Sequence, residues 1–292
     1  MNQLVWNQYI TIDVTDLIYF KKWGDTNLKV YYRIKTNSKK EKDKIIPYNS
    51  NIDIALEGAL KLGLECIPYF NVEEIIDKYE LGDIVLDGVY QVRYCLKKFG
   101  ITPAEFDYPD VLKPYLGRNI KKIKLSEFIS NDKLLSKGYF VKPVKQKLFT
   151  GKRVFSYKDV IGISSDEEDL DIYLSEPLEF VYELRSFVYY DKIIDIRPYL
   201  HKGIEYLKYL DTTLIEQAMD NWKKWENRPN SCSLDWGIAK IKKNNEYIYK
   251  TVLIEANLPY ALGNYGLPAV DYIKLINAYI SQISGIEDEL HF

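Results

Sequence analysis

The sequence predicts an α+β chain that starts as an α/β unit, and three observations carry the prediction. Up to about residue 117, short β-rich runs alternate with helical patterns, which is the signature of an α/β unit. From Gly138 onward, successive runs read instead as antiparallel hairpins. Between them lies a connector punctuated by Pro103, Pro109 and Pro114. The chain has 292 residues; against a typical domain of roughly 150 residues, that leaves room for two units or one composite.

Taken in order, residues 30–34 and 83–86 have strand composition, and 54–62 and 89–98 have helical periodicity. The charged run at 39–44 reads as a solvated loop rather than a binding site. Residues 118–130 read as a crossing segment that ends in a short helix. Strands follow at 139–143, 153–156, 179–190, 193–200, 231–241 and 247–257, with helices at 212–225 and 271–284.

Composition narrows the function classes. Hydrophobic residues make up 47% and charged residues 28%, which describes a folded globular chain. Lys and Arg number 40 against 42 Asp and Glu, a formal charge of -2, so there is no global basic field to draw the chain onto nucleic acid or acidic membranes. Cys66, Cys95 and Cys232 are odd in number and widely spaced, without metal-ligand spacing, and point to a reducing compartment. Residues 1–14 mix polar and apolar positions, and no run approaches the roughly 18 apolar residues of a membrane span. The expectation is a cytoplasmic protein. The 26 tyrosines have two readings, coding bias or stacking platforms for bases.

The strongest chemical signal lies near the C-terminus. Residues 233–239 (SLDWGIA) and 251–257 (TVLIEAN) read as two strands of a hairpin whose turn contains Asn244 and Asn245. A three-residue loop at 244–246 pairs positions whose numbers sum to 490, which sets Asp235 opposite Glu255. Asn257 then projects from the same face as Glu255 and lies diagonally from Asp235. Two opposed carboxylates repel unless a cation neutralises them, and a hard ion such as magnesium takes oxygen donors of this kind. A register off by one or two positions would leave an ordinary exposed Asp and Glu, and spacing alone does not choose between the two.

Two further segments gather basic residues. Lys142 stands inside an apolar strand, where a charge needs a partner. Lys147, Lys152 and Arg153 follow, with Thr150 and Gly151 at a turn that can aim backbone N–H groups at a phosphate. An exposed hairpin with surface lysines is the alternative. Glu183, Arg185, Phe187 and Tyr189 alternate onto one strand face, where Glu183 and Arg185 can also serve a purely structural pairing.

In this order, the pieces resemble the ATP-grasp superfamily and, within it, the RimK-related ligase clade of phage and bacterial proteins. The resemblance covers most of the chain. It rests on the run 86–89 (LDGV) entering a helix, Tyr108-Pro109, the run 115–118 (YLGR), the strand 141–143 (VKP), Thr150-Gly151, the run 183–188 (ELRSFV), Leu234-Asp235, and above all the run 254–257 (IEAN).

The resemblance implies an ATP-grasp fold at 118–292, with a small subdomain at about 118–175 and a large one at about 176–292, after an N-terminal α/β domain at 1–117. It implies ATP held between the subdomains, with Lys142 on phosphate and the purine end and the Thr150-Gly151 hairpin over the phosphates. Asp235, Glu255 and Asn257 would carry one or two magnesium ions. Arg118, Lys147 and Arg185 match basic positions that contact phosphate or acyl phosphate. The strand 173–176, with Tyr173, Leu174, Ser175 and Glu176, would meet adenine and ribose, and Glu183 belongs to the nucleotide site. This hairpin departs from the family pattern in having one glycine where many members have several.

The implied chemistry is ligation of a carboxylate to an amine through an acyl phosphate, with release of ADP. No protein nucleophile is required; Cys232 has no nearby His to activate it. Competing readings are phosphotransfer without ligation, and nucleotide or nucleic-acid binding without turnover through Arg118, Lys121, Lys122 and Lys124. The near-neutral charge argues against the last. His201 reads as a loop residue or a substrate contact and His291 as part of a frayed terminus. Residues 258–266 either touch the acceptor or lead into the last helix. Substrate choice is expected in the N-terminal region, and neither the acid, the amine nor the oligomeric state can be read from the sequence.

Overall fold

The computed structural model describes residues 27–35, 45–161, 163 and 169–292; the charge run at 39–44 and the segment 1–14 lie outside them. The first described strand, β1 (Lys29–Arg33), is apolar on both faces and buried along its middle, as expected of a strand covered on two sides. After it come α1 (Ser50–Lys61), β2 (Glu65–Tyr69), β3 (Ile84–Leu86) and α2 (Val89–Lys97). The three strands form a parallel sheet in the order β2-β1-β3. The Asn49 side chain caps α1 by accepting from the Ile52 N–H at 3.0 Å. Ile52, Ala55, Gly58 and Ala59 form the buried stripe of that helix.

The next unit is small and antiparallel. It comprises β4 (Ile120–Lys124), α3 (Leu125–Ile129), α4 (Asp132–Leu135), β5 (Tyr139–Pro143), β6 (Lys152–Val154) and β7 (Asp171–Ser175), with strand order β4-β7-β5-β6. It has its own core, in which Phe128, Val141, Val154, Ile172 and Leu174 meet. The segment read from sequence as a crossing connection contains a true strand: β4 pairs with β7 from Ile120↔Ser175 to Lys124↔Asp171. Its run IKKIK hides the period because lysines fill the exposed positions.

The large unit holds β8 (Glu179–Tyr189), β9 (Lys192–His201), α5 (Thr212–Lys223), β10 (Ser231–Lys243), β11 (Glu246–Asn257) and α6 (Ala269–Ser284), in sheet order β11-β10-β8-β9. Its core is continuous with that of the parallel sheet: Val30, Ile84 and Leu96 belong to the same buried cluster as Leu234, Trp236 and Ile273. The join is α1 against α6. A Cβ on Gly58 would lie 2.0 Å from the Ala269 carbonyl oxygen, so only glycine lets the two backbones approach this closely. The architecture is α+β with a parallel α/β start.

Two histidines differ from expectation. His201 ends β9 and stacks on Tyr182 at 5.5 Å. His291 is not frayed; its ring stacks on Tyr190 at 3.9 Å, and the Tyr190 hydroxyl donates to Asp288 at 2.8 Å. Among the described residues, no helix is long and apolar enough to cross a membrane.

Candidate active site

The β10–β11 hairpin sets Asp235 directly opposite Glu255 and Ser233 opposite Asn257. The route to that pairing differs from the one expected. The turn has two residues, Asn244 and Asn245, with φ of 49° and 63°, and Glu246 already pairs with Lys243. Two left-handed positions favour Asn and make the tight turn suited to strand twist. Pairs near the turn therefore sum to 489, and a β-bulge at Ile254 then adds one residue to β11, because Trp236 pairs with Leu253 and Asp235 with Glu255. The two offsets cancel, and both carboxylates and the Asn257 amide come together.

Basic side chains neutralise this acidic group. Arg185 of β8, paired with Asp235 across the sheet, grips it bidentately: Nε donates to Oδ1 at 2.8 Å and Nη2 to Oδ2 at 2.7 Å. Burial pushes the Asp235 carboxyl above its ordinary value, and the guanidinium opposes that shift. Lys142 of β5 lies 2.6 Å from Glu255 Oε2 and 2.6 Å from Asp107 Oδ2, with its ammonium over the Tyr108 ring at 5.2 Å. Burial acts against its charge, but Glu255, Tyr108 and Asp107 outweigh that effect and hold the ammonium above its ordinary value. Burial likewise works against the Glu255 carboxylate; Lys142 and the Asn257 amide outweigh it and bring the group below the usual range. Asn257 Nδ2 donates to Asp235 Oδ2 at 3.1 Å and to Glu255 Oε1 at 3.2 Å.

These groups floor a cleft of about 840 Å³ between the small and large sheets, closed on a third side by the loop after β11. Glu183, Arg185 and Tyr199 come from the large sheet, Lys142, Thr150 and Gly151 from the small one. Burial raises Glu183, and the Tyr199 hydroxyl, which donates to it, partly offsets this. Gly151 lies so close to the Phe140 ring that a Cβ would come within 2.6 Å of it. Lys147, with φ of 64°, lines both this cleft and an adjoining cavity of about 390 Å³ that reaches the starts of α1 and α2.

The remaining sequence-derived candidates fall differently. Ser175 and Glu176 line the cleft at the end of β7. Leu174 is turned into the core of the small sheet, and Tyr173 packs edge-on against Tyr108 at 4.8 Å. Arg118 lines the cleft, yet its guanidinium is engaged by protein. Nε donates to Ser175 Oγ at 3.0 Å, Nη1 to the Leu116 and Leu253 carbonyls at 2.9 Å, and Nη2 to the Ile254 carbonyl at 2.8 Å. It clamps the bulge to the small sheet. Leu258, Tyr260, Leu262, Gly263 and Tyr265 of the following loop also line the cleft. Cys232 is fully buried, with burial raising its thiol.

Two residues escape the sequence reading. Asp107 is buried, accepts from Gln146 Nε2 at 2.9 Å, and supplies the counter-ion that an apolar-strand lysine demands. Ser233, opposite Asn257, has a buried hydroxyl without a hydrogen-bond partner. Among the described residues, no group of three His, Cys, Asp or Glu side chains is placed to hold a metal ion. The convergent set here is two carboxylates and an amide, and turning the amide over presents Oδ1 to the same space. Such hard oxygen donors, with an orphaned hydroxyl beside them, suit a magnesium ion that keeps other ligands from water and phosphate.

Residues 115–275, more than half of the chain, match a family model described as an ATP-grasp domain, the second family of its RimK-related clade. Solved structures with similar folds include D-alanine–D-alanine ligase from Bacillus anthracis complexed with ATP, at 14% identity over 88% of this chain and 98% of that one, TM-score 0.47. N5-carboxyaminoimidazole synthetase from Staphylococcus aureus is 13% identical over 92% of this chain and 80% of that one, TM-score 0.45. The ATP-grasp ligase PsnB complexed with minimal precursor is 12% identical over 88% of this chain and the whole of that one, TM-score 0.42. No curated protein matches the chain.

Proposed function

Because the chain belongs to the ATP-grasp superfamily, in its RimK-related clade, we propose that it is an ATP-dependent ligase that joins a carboxylate to an amine or similar nucleophile and releases ADP. The observation that carries this reading is the direct opposition of Asp235 and Glu255, with Asn257 beside them, on the floor of a cleft shared by two sheets. Asp235, Glu255 and Asn257 would hold one or two magnesium ions, whose contribution is to neutralise charge on the transferring phosphoryl group.

The chain's own residues divide the rest of the work. Lys142 supplies a cation at the phosphates, and Thr150 and Gly151 bring backbone N–H groups from the β5–β6 turn. Ser175 and Glu176 border the space for the nucleoside. In the reaction, a substrate carboxylate oxygen bonds to the γ-phosphorus as the bond to the β–γ bridging oxygen breaks, giving ADP and an acyl phosphate. The amine nitrogen then bonds to the acyl carbon, phosphate leaves, and the amine proton passes to solvent. Phosphoryl transfer of this kind needs positioning and charge neutralisation more than a protein nucleophile. The adjoining cavity at α1 and α2 would select the acid or the acceptor, which makes the region to about residue 117 the source of specificity.

The test is ADP release from Mg-ATP with and without a small-molecule extract, comparing wild type with Glu255→Gln. ADP formed only with extract and only by wild type supports ligation or phosphotransfer; a phosphorylated product that is stable without amine would select the latter. Wild-type turnover in Glu255→Gln would overturn the metal assignment.

A further inference from the structure

Lys142 sits where an external cation would be expected. Its ammonium bridges Glu255, one of the oxygen donors, and Asp107, which comes from the connector ahead of β4. Asp107 is 2% exposed in its side chain and Lys142 is 15% exposed. Asp107 Oδ2 has the ammonium as an ion contact but no partner in hydrogen-bond geometry, whereas Oδ1 is taken by Gln146. Gln146 is held in turn by its backbone N–H, which donates to Glu105 Oε2 at 3.2 Å, and Arg93 of α2 donates to Glu105 Oε1 at 2.9 Å. Asp107 is thus fixed from two sides, while Glu255 is the looser partner, 27% exposed and lining the cleft. The second donor, Asp235, has both oxygens bound by Arg185.

We propose that Lys142, anchored by Asp107, is the resident cation of this site and makes metal binding conditional on nucleotide. The inference rests on the ATP-ligase reading above. A divalent ion approaching Glu255 in the free protein meets an ammonium already on the same oxygen. A nucleotide phosphate offers that ammonium a second anion, so Lys142 leaves Glu255 while keeping Asp107, and Glu255 becomes available. Metal and nucleotide then raise each other's affinity by the same factor, as linkage requires.

Equilibrium dialysis with Mn²⁺, counted by electron paramagnetic resonance, tests this without turnover. Wild type alone is expected to retain less than about a tenth of the Mn²⁺ that it retains with a non-hydrolysable ATP analogue, a factor within the usual range of coupling between sites. Lys142→Met, with Asp107 and Glu255 left uncompensated, is expected to retain Mn²⁺ without nucleotide, and Lys142→Met/Asp107→Asn to lose most of that gain. Where Lys142→Met fails to fold by circular dichroism, Lys142→Gln, which still hydrogen-bonds both carboxylates, takes its place, and the wild-type arms decide on their own. Equal Mn²⁺ retention by wild type with and without the analogue, the analogue itself being bound, overturns this inference and leaves the ligase reading standing. Failure of wild type to bind the analogue at all overturns both.

Discussion

Asp235→Asn tests whether the bidentate grip of Arg185 is structural as well as chemical. In the wild type, Oδ1 accepts from Nε, and Oδ2 accepts from both Nη2 and the Asn257 amide. An asparagine keeps one oxygen, which settles at the Oδ2 position because two donors point there, and its NH₂ then faces Arg185 Nε donor to donor. The guanidinium, 9% exposed in its side chain, keeps its charge without a counter-ion. Removing one partner of a buried pair costs about 3–5 kcal/mol, and at roughly 2–4 °C per kcal/mol for a large domain the midpoint should fall by roughly 6–20 °C. Adding Arg185→Met removes the stranded charge and fills the space against Tyr199 and Tyr265, so the double variant should recover at least half of the loss. Thermal melts of the three proteins, run beside ADP release, make the comparison. A single variant that melts within about 2 °C of wild type, or a double variant no more stable than the single, would refute the reasoning. Loss of turnover in Asp235→Asn alone therefore does not isolate a metal role; Glu255→Gln is the cleaner probe, because Lys142 keeps Asp107.

Gly58→Ala should cost about 2–3 kcal/mol, because its methyl would meet the Ala269 backbone carbonyl and α1 would have to move away from α6; a lower urea midpoint at unchanged slope is the expected reading. The Lys142–Glu255 pair should make stability flat from roughly pH 6 to 9. Glu255 is held below its ordinary value, so its contribution is present above the unfolded value of about 4.3 and lost as pH falls through the folded one, whereas the raised Lys142 loses its contribution only above about pH 10.4. Accordingly, the stability difference between wild type and Glu255→Gln should shrink below about pH 4. Arg118→Met leaves the Leu116, Leu253 and Ile254 carbonyls without their donor, at about 1–3 kcal/mol for each that stays buried; turnover and melting temperature should fall together, and lost turnover at an unchanged midpoint would make Arg118 a phosphate contact instead.

The hairpin shows how far the fold is legible. Strand type, strand length and the turn residues follow from alternation and from two asparagines. The register follows from a turn of two residues and a bulge at Ile254, and the expectation of a three-residue loop without a bulge reaches the same Asp235–Glu255 pair only because the errors offset. A bulge has no local marker in the run TVLIEAN; it is held from outside, by the Arg118 guanidinium on the Leu253 and Ile254 carbonyls. Arg118 reads from sequence as a phosphate ligand because a basic residue after a glycine carries no sign of the carbonyls it will meet. The strand β4 escapes the sequence for a related reason, its exposed face being lysine.

Asp107 is hidden more deeply, in a proline-punctuated connector with no period to place its side chain, although the lysine that needs it is conspicuous. The demand is visible and the supplier is not, because a strand lysine specifies the charge of its partner and nothing about where in the chain that partner lies. Once Asp107 is added, the charges at the cleft floor can be balanced: Asp107, Asp235 and Glu255 against Lys142 and Arg185. One negative charge is left, and Glu183, raised by burial toward its neutral form, adds little to it. A dication alone would overturn that balance and leave the floor positive, whereas a dication arriving with a polyphosphate brings its own compensation. The charge count thus favours entry of metal and nucleotide together, independently of the exact position of the Lys142 ammonium.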